Sequence, residues 1–159
     1  MSPLIDLKYT QKEREEQGSK YIALPIDPTT GKAKVGGVVI RIVECGMPDW
    51  YTAGISIKFP VTVVEAGIDK GKESELYCGI GAKASFKMEE AAAAFGVSEA
   101  ITYDAKGNAQ LNPDLFPGKR AKGVWVGTET NATPPSVIAK LTNFIAVTEN
   151  SAPEVEELI

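Results

Sequence analysis

The chain has no histidine and only two cysteines, Cys45 and Cys78, among its 159 residues. Without histidine no Ser-His-Asp or Cys-His relay can form, and no imidazole is present to act as a general base or to bind zinc. Two cysteines are too few for a disulfide framework or a four-thiolate zinc site. We therefore expect a protein that is not an enzyme and that holds no metal or other cofactor.

Long apolar runs are missing as well. No uninterrupted apolar stretch is long enough to cross a bilayer, and Met1-Ser2-Pro3 does not open a signal peptide. A length of 159 residues with 43% hydrophobic residues suits one compact domain with a real core. The expectation is a soluble protein without a membrane partner, located in the cytoplasm, which is the host cytoplasm if the protein is viral.

Acidic residues exceed basic ones only because of one terminal segment. Four of the 21 Asp and Glu residues lie in 149–159, which leaves 17 acids against 17 bases in the rest of the chain. We accordingly predict a polar N-terminal arm (1–20), a folded domain (21–148) and an acidic C-terminal tail (149–159). A neutral domain is compatible with binding an anion through a local basic face.

Alternation of apolar and polar residues is the clearest pattern in the chain. In 55–65 every second residue from Ile55 to Val63 is large and apolar, which predicts a strand with one face in the core. Pro60 lies inside this stretch and indicates an edge position or a bulge, because proline has no amide hydrogen. Further strands are predicted at 36–44, 75–83, 123–128 and 137–147, with a hairpin turn at 69–72.

Residues 85–97 break this period and predict a helix between the third and fourth strands. Ser85 is the expected N-cap, acids follow in the first turn, and Gly96 is the expected C-terminal cap. Three strands, a helix and two strands are the element order of an OB-fold, a five-stranded barrel. We therefore expect a mainly β protein with this fold; a β-sandwich or a jelly roll has similar strand numbers and remains the alternative.

An OB-fold binds oligonucleotides on the outer face of its second and third strands, beside two flanking loops. Single-stranded nucleic acid needs rings on which bases stack and cations that contact phosphates, and both occur at the corresponding positions. The candidate nucleic-acid-binding residues are Arg41, Trp50, Tyr51, Lys58, Tyr77, Lys83, Lys119, Arg120, Lys122 and Trp125.

Each candidate also has a purely structural interpretation. Trp50 and Tyr51 either stack bases or fold their loop back onto the barrel, and Trp125 either stacks a base or covers the rim. Tyr77 favours binding, because glycines share its strand face and leave its ring little to pack against; the same glycines also fit bends in the barrel. For the lysine and arginine candidates, the structural interpretation is that they are ordinary solvated charges that bind no phosphate.

The chain resembles the bacteriophage single-stranded-DNA-binding proteins of the OB-fold class. The resemblance spans Tyr21 to Val147 and is one of pattern. Its carrying features are the strand 37–44, the strand that ends at Val63-Val-Glu65, the turn Lys70-Gly-Lys72, the helix that ends at Phe95-Gly-Val97, and Asn112-Pro-Asp-Leu-Phe-Pro-Gly-Lys119. It implies sequence-tolerant, non-enzymatic binding of single-stranded DNA in phage replication or recombination.

The tail is similar in part to the acidic tail of bacterial single-stranded-DNA-binding proteins. Residues 154–159 are acidic and end on Leu158 and Ile159, but the aspartate run and the terminal Pro-Phe of the bacterial form are missing. The likeness implies recruitment of replication or recombination proteins, and a solubilising terminus is the alternative.

A virion structural protein, either a head-decoration or a tail-assembly domain, is the competing hypothesis for the whole chain. Its support is the neutral domain, the polar arm and the loops rich in glycine and proline. The oligomeric state is left open, with a homodimer as one option. Carboxylates that could hold Mg²⁺, such as Asp49 and Asp114, are scattered singly over predicted loops.

Overall fold

The structure is a computed structural model that describes residues 3–8, 10–11, 21–52 and 55–147. The predicted acidic tail lies outside these residues, and so does most of the predicted arm. The strands are β1 (Ile26–Asp27), β2 (Lys32–Ala33), β3 (Val38–Cys45), β4 (Asp49–Thr52), β5 (Ser56–Val63), β6 (Glu73–Gly79), β7 (Ile101–Tyr103), β8 (Ala109–Leu111), β9 (Arg120–Glu129) and β10 (Val137–Ile145), and helix α1 is Ser85–Ala94. The prediction of a mainly β protein with a helix at this place is confirmed. The predicted number of five strands is too low, because the described residues contain ten.

Six of these strands form one antiparallel sheet in the order β10-β9-β3-β5, with β6 on the far side of β5. Strands β3 and β4 pair with the same edge of β5. Strand β3 pairs with Val61–Val63, and β4 pairs with Ser56–Lys58. The gap between β3 and β4 lies opposite Pro60, whose carbonyl accepts a hydrogen bond from the Gly46 amide. The interruption in strand pairing that Pro60 predicts is therefore present. It lies where proline, which has no amide hydrogen, could not donate a hydrogen bond to a neighbouring strand.

The sheet curls until its two ends approach each other. Cα atoms of β6 and β10 come within 8 Å, and α1 contacts both strands. No hydrogen-bonded ladder joins β6 to β10 among the described residues, so the sheet stays open there. The expected five-stranded OB-fold barrel is thus not confirmed. Within the same residues no helix is long and apolar enough to span a membrane.

Alternating side chains of β5 build the centre of the core. Ile57, Phe59, Val61 and Val63 are all buried, as the period of two predicts, whereas Ile55 lies just before the strand and is 63% exposed. The thiols Cys45 and Cys78 are also buried in this core and are free. Burial disfavours the thiolate and raises the pKa of Cys45 to about 12 and that of Cys78 to about 11.

Trp125 belongs to this core rather than to the surface. Its side chain is 1% exposed, and its indole Nε1 donates a 3.1 Å hydrogen bond to Oγ of Ser74 on β6. The ring lies over Gly123, where an added Cβ would come within 2.7 Å of it. A base therefore has no ring face of Trp125 to stack on, and the prediction of Trp125 as a binding platform is wrong.

Helix α1 begins without the predicted cap and ends with it. Ala84 occupies the N-cap position without a side-chain bond, Ser85 is the first helical residue, and the first turn holds no acid. At the other end Gly96 has φ +74°, and the amides of Gly96 and Val97 donate to the carbonyls of Ala93 and Ala92. This is a Schellman motif, for which glycine is favoured because it adopts positive φ at little cost.

A buried carboxylate anchors the loop between β5 and β6. Asp69 is 1% exposed and accepts hydrogen bonds from Arg41 Nε (3.1 Å), Lys72 Nζ (2.8 Å) and the amide of Ala23 (3.0 Å). Burial alone raises the pKa of Asp69, but the donors, led by Lys72, outweigh it and hold the pKa below its usual value. The cluster ties the segment before β1 and the start of β3 to this hairpin.

Replacing Asp69 by asparagine is expected to lower the free energy of unfolding by about 1–3 kcal/mol at neutral pH, because three donors lose a charged acceptor. The folded pKa of Asp69 is depressed, so its contribution is present above the unfolded pKa and is lost as the pH falls through the folded pKa. Urea unfolding at neutral and acidic pH measures both effects. Asp114→Asn, an exposed control, should change stability by less than about 0.5 kcal/mol; equal losses in the two variants contradict the assignment.

Candidate nucleic-acid interface

Two tyrosines form an exposed aromatic pair on the outer face of the sheet. Strand register places Tyr77 of β6 directly beside Lys58 of β5, and Tyr51 of β4 reaches the same face. The ring centroids of Tyr51 and Tyr77 lie 4.3 Å apart at an interplanar angle of 49°. The residues are 60% and 41% exposed, so their rings offer apolar surface to a ligand. We call this pair the tyrosine platform.

Glu75 organises the polar edge of the platform. One carboxylate oxygen accepts a 2.8 Å hydrogen bond from the Tyr77 hydroxyl, and the other lies 3.4 Å from Lys58 Nζ. The hydrogen bond from Tyr77 to Glu75, together with partial burial and the nearby negative charge, raises the pKa of Tyr77 to about 12. Tyr77 is therefore neutral at physiological pH, and its ring is held in one place beside the amine of Lys58.

Trp50 lies on the other side of β4 from Tyr51. Its register partner is Ile57, a core residue, and its ring is 50% exposed at the mouth of a cavity of about 440 Å³. This cavity lies between the sheet, the start of α1 and the β7–β8 hairpin. Trp50 and Tyr51 are thus both accessible, as the binding hypothesis requires. They lie on two different surfaces, however: Trp50 at the cavity and Tyr51 on the tyrosine platform.

Arg41 and Lys83 are not brought to the tyrosine platform as predicted. The Arg41 guanidinium is engaged by Asp69 and by the carbonyl of Ile40, next to the loop at the opposite end of the β5–β6 ladder from Tyr77. Lys83 is exposed, but it lies in a 3₁₀ turn at Ala82–Ala84 because β6 ends at Gly79. Its predicted position on the outward face of the third predicted strand is wrong.

The predicted basic cluster lies along the start of β9. Lys119 and Arg120 are exposed and Lys122 is half-buried. Arg120 pairs with Glu44 of β3 in the ladder and its Nε lies 3.4 Å from that carboxylate. Since Glu44 in turn faces Thr62 of β5, the cluster and the platform share one face of the sheet but are separated along it.

Carboxylates interrupt this face. Glu44 and Glu75 are already paired with its cations, and Glu73 stands beside Thr62. Glu73 and Glu75 also line a groove of about 540 Å³ above Pro60. Phosphates are repelled from such a groove, and on the β4 side Asp49 is the register partner of Lys58, so an acid flanks the platform there as well. The local basic face with which the neutral domain is compatible is therefore interrupted by acids.

The sequence pattern does not identify the contacts of Glu75 and Asp69. It predicts that Asp69 lies in a hairpin turn and that Glu75 begins a strand, but the partners of both carboxylates are assigned by strand register and by packing. The one local signal was the alternation in β6, which puts Glu75 and Tyr77 on the same face. Within the described ranges no three residues among Cys, Asp and Glu come together in a way that could hold a metal ion.

Comparison with known proteins finds no matching family model and no matching curated protein.

Replacing Glu75 by glutamine is expected to lower the pKa of Tyr77 from about 12 toward the ordinary tyrosine value of about 10. The reason is that the neutral amide removes both the charged acceptor and the negative potential. Tyrosinate absorbance during a pH titration, taken as the difference between each protein and its Tyr77→Phe counterpart, isolates this phenol. Glu73→Gln, two residues away on the same face, is the control and should leave the titration unchanged; a shift of equal size there would contradict the specific contact.

Proposed function

We propose that this chain is an OB-fold-type domain that binds single-stranded DNA without strong sequence preference, by stacking bases on the tyrosine platform. The observation that carries the proposal is the exposed Tyr51–Tyr77 pair, held at 4.3 Å beside Lys58. Aromatic rings bind every base through its π-face, so such a site tolerates any sequence. The resemblance to phage proteins favours a role in phage DNA replication or recombination, within the host cytoplasm.

The order of strand pairing supports the OB-fold part of the proposal. If β3 with β4 is taken as the first strand, the ladders join first to second (β5), second to third (β6), first to fourth (β9) and fourth to fifth (β10). The third strand (β6) and the fifth (β10) approach each other without a hydrogen-bonded ladder. A ladder between them would close the barrel, and its absence among the described residues is compatible with an OB-fold because OB-folds are partly open barrels. Tyr77 and Lys58 then lie on the outer face of the second and third strands, which is the oligonucleotide-binding face of that fold.

The charge pattern supports a site dominated by stacking. Lys58 and Arg120 are each paired with a glutamate. When a phosphate approaches one of these cations, the cation exchanges its carboxylate partner for the phosphate. Exposed ion pairs of this kind contribute little to stability and are exchanged easily. Base stacking uses the π-faces of the tyrosine rings, which carry no net charge and are not occupied by these carboxylates.

Truncating either platform ring is expected to weaken binding. Tyr77→Ala or Tyr51→Ala should reduce the affinity for a labelled oligo-dT strand by about 1–3 kcal/mol, which is roughly a 5- to 150-fold rise in Kd. Fluorescence anisotropy measures the affinity, and circular dichroism confirms that each variant is folded. Phe86→Ala removes a ring that is 74% exposed on α1 and should leave the affinity unchanged. Unchanged binding in both tyrosine variants would remove the platform from the site.

Salt is expected to weaken binding only modestly. With one or two phosphates neutralised on a single strand, the slope of log K against log salt concentration should be about −0.7 to −1.4. Lys58→Ala should make the slope shallower by about 0.7, and Glu75→Gln should strengthen binding by releasing Lys58 from its carboxylate partner. Anisotropy titrations over a salt series measure both. A slope several times steeper contradicts a stacking-dominated site.

A further inference from the structure

A short segment near the start of the chain carries uncovered apolar side chains. Within residues 3–8, Leu4 is 96% exposed, Ile5 is 85% exposed and Leu7 is 66% exposed. Single exposed apolar residues are normal on protein surfaces, but a contiguous set of large aliphatic side chains marks a contact surface. We call residues 3–8 the apolar segment.

The cavity beside Trp50 is a second uncovered apolar surface. Its wall is formed mainly by aromatic and aliphatic side chains, among them Trp50, Ile80, Tyr103 and Leu111. Ile80 is 48% exposed and Tyr103 is 65% exposed, so the cavity opens to solvent. A volume of about 440 Å³ lies in the range of pockets that hold small ligands or the side chains of a peptide.

The charged residues that line the cavity are acidic. Within the part of the chain that the structure describes, Asp49 and Glu89 contribute to the lining beside the neutral Ser85 and Gln110, and no lysine or arginine does. Repulsion by carboxylate disfavours phosphates in this cavity, which separates it from the nucleic-acid site proposed above. An apolar ligand with a positive charge nearby has the complementary chemistry, and in the apolar segment Lys8 follows directly after Leu7.

We propose that the apolar segment of one chain binds in the Trp50 cavity of a second copy of this chain. The side chains of the segment are exposed on their own chain, so its own cavity does not hold them. In an extended segment Ile5 and Leu7 point to the same side and enter the cavity, while Asp6 points away from it. Lys8 supplies the charge that Glu89 attracts.

Each chain then donates one segment and offers one cavity. Two chains can exchange segments reciprocally, or successive chains can bind head to tail and form a ring. In either arrangement Trp50 passes from partial exposure to burial on association, whereas Trp125 is buried from the outset. Trp50 is therefore a built-in reporter for this contact, and the contact does not depend on DNA.

Sedimentation and tryptophan emission of the full chain over a concentration series test the proposal. The wild-type protein is expected to associate as its concentration rises, with a blue shift of Trp50 emission. The double variant Ile5→Asp/Leu7→Asp should have the mass of one chain and lose the shift. Ile26→Asp, at a residue that is 60% exposed on β1, is the matched control and should associate as the wild type does. A wild-type protein that stays a single chain at every concentration overturns the proposal.

The receiving cavity is tested separately. Ile80→Asp places a third carboxylate at the cavity mouth and should raise the dissociation constant of the assembly at least tenfold. Lys8→Glu and Glu89→Lys should each weaken association, and the two changes together should restore part of it. Association that survives Ile80→Asp but is lost in Ile40→Asp, on the exposed outer face of β3, would place the contact on that sheet face and overturn the cavity as the binding site.

Discussion

The hydrogen bond from the Trp125 indole to Ser74 is the interaction on which the rest of the architecture depends. It joins β9 to β6, two strands with β3 and β5 between them in the sheet, so it can form only if the sheet curls. The indole is the largest fully buried side chain, and it fits because Gly123 beneath it has no Cβ. One buried ring thus fills the interior, satisfies its own polar atom and sets the curvature of the sheet.

The same strand that closes the core also builds the candidate site. In β6 the side chain of Ser74 faces inward to Trp125, whereas Glu75 faces outward to Lys58 and Tyr77. Because side chains alternate along a strand, a shift of one residue in the register of β6 would expose the core contact and bury the acidic one. The packing of Trp125 therefore also fixes the position of the platform rings, and the interior and the outer face are linked through adjacent residues.

The sequence pattern was most reliable where the hydrophobic period was strict, and it failed where the period was absent. The alternation in β5 predicted its buried face, and Gly96 predicted the end of α1, because both signals act over a few neighbouring residues. Strand β4 was missed, since its four residues lie between Gly46-Met-Pro48 and the next strand and show no alternation. Trp125 was ambiguous for a related reason: Val124 and Val126 are also apolar, so nothing in the local pattern indicated which way the indole points.

The amino-acid sequence by itself determined that this chain has no imidazole chemistry, and it determined the mainly β class, the helix and the place of the helix among the strands. Only the tertiary structure decided which charges meet: Arg41 is held by Asp69, 28 residues away, and Arg120 approaches Glu44, 76 residues away. Backbone preference and hydrophobic period act over a few residues and can be read locally. Charge pairing and ring stacking depend on register between distant strands, so the tyrosine platform exists only once β4, β5 and β6 have paired.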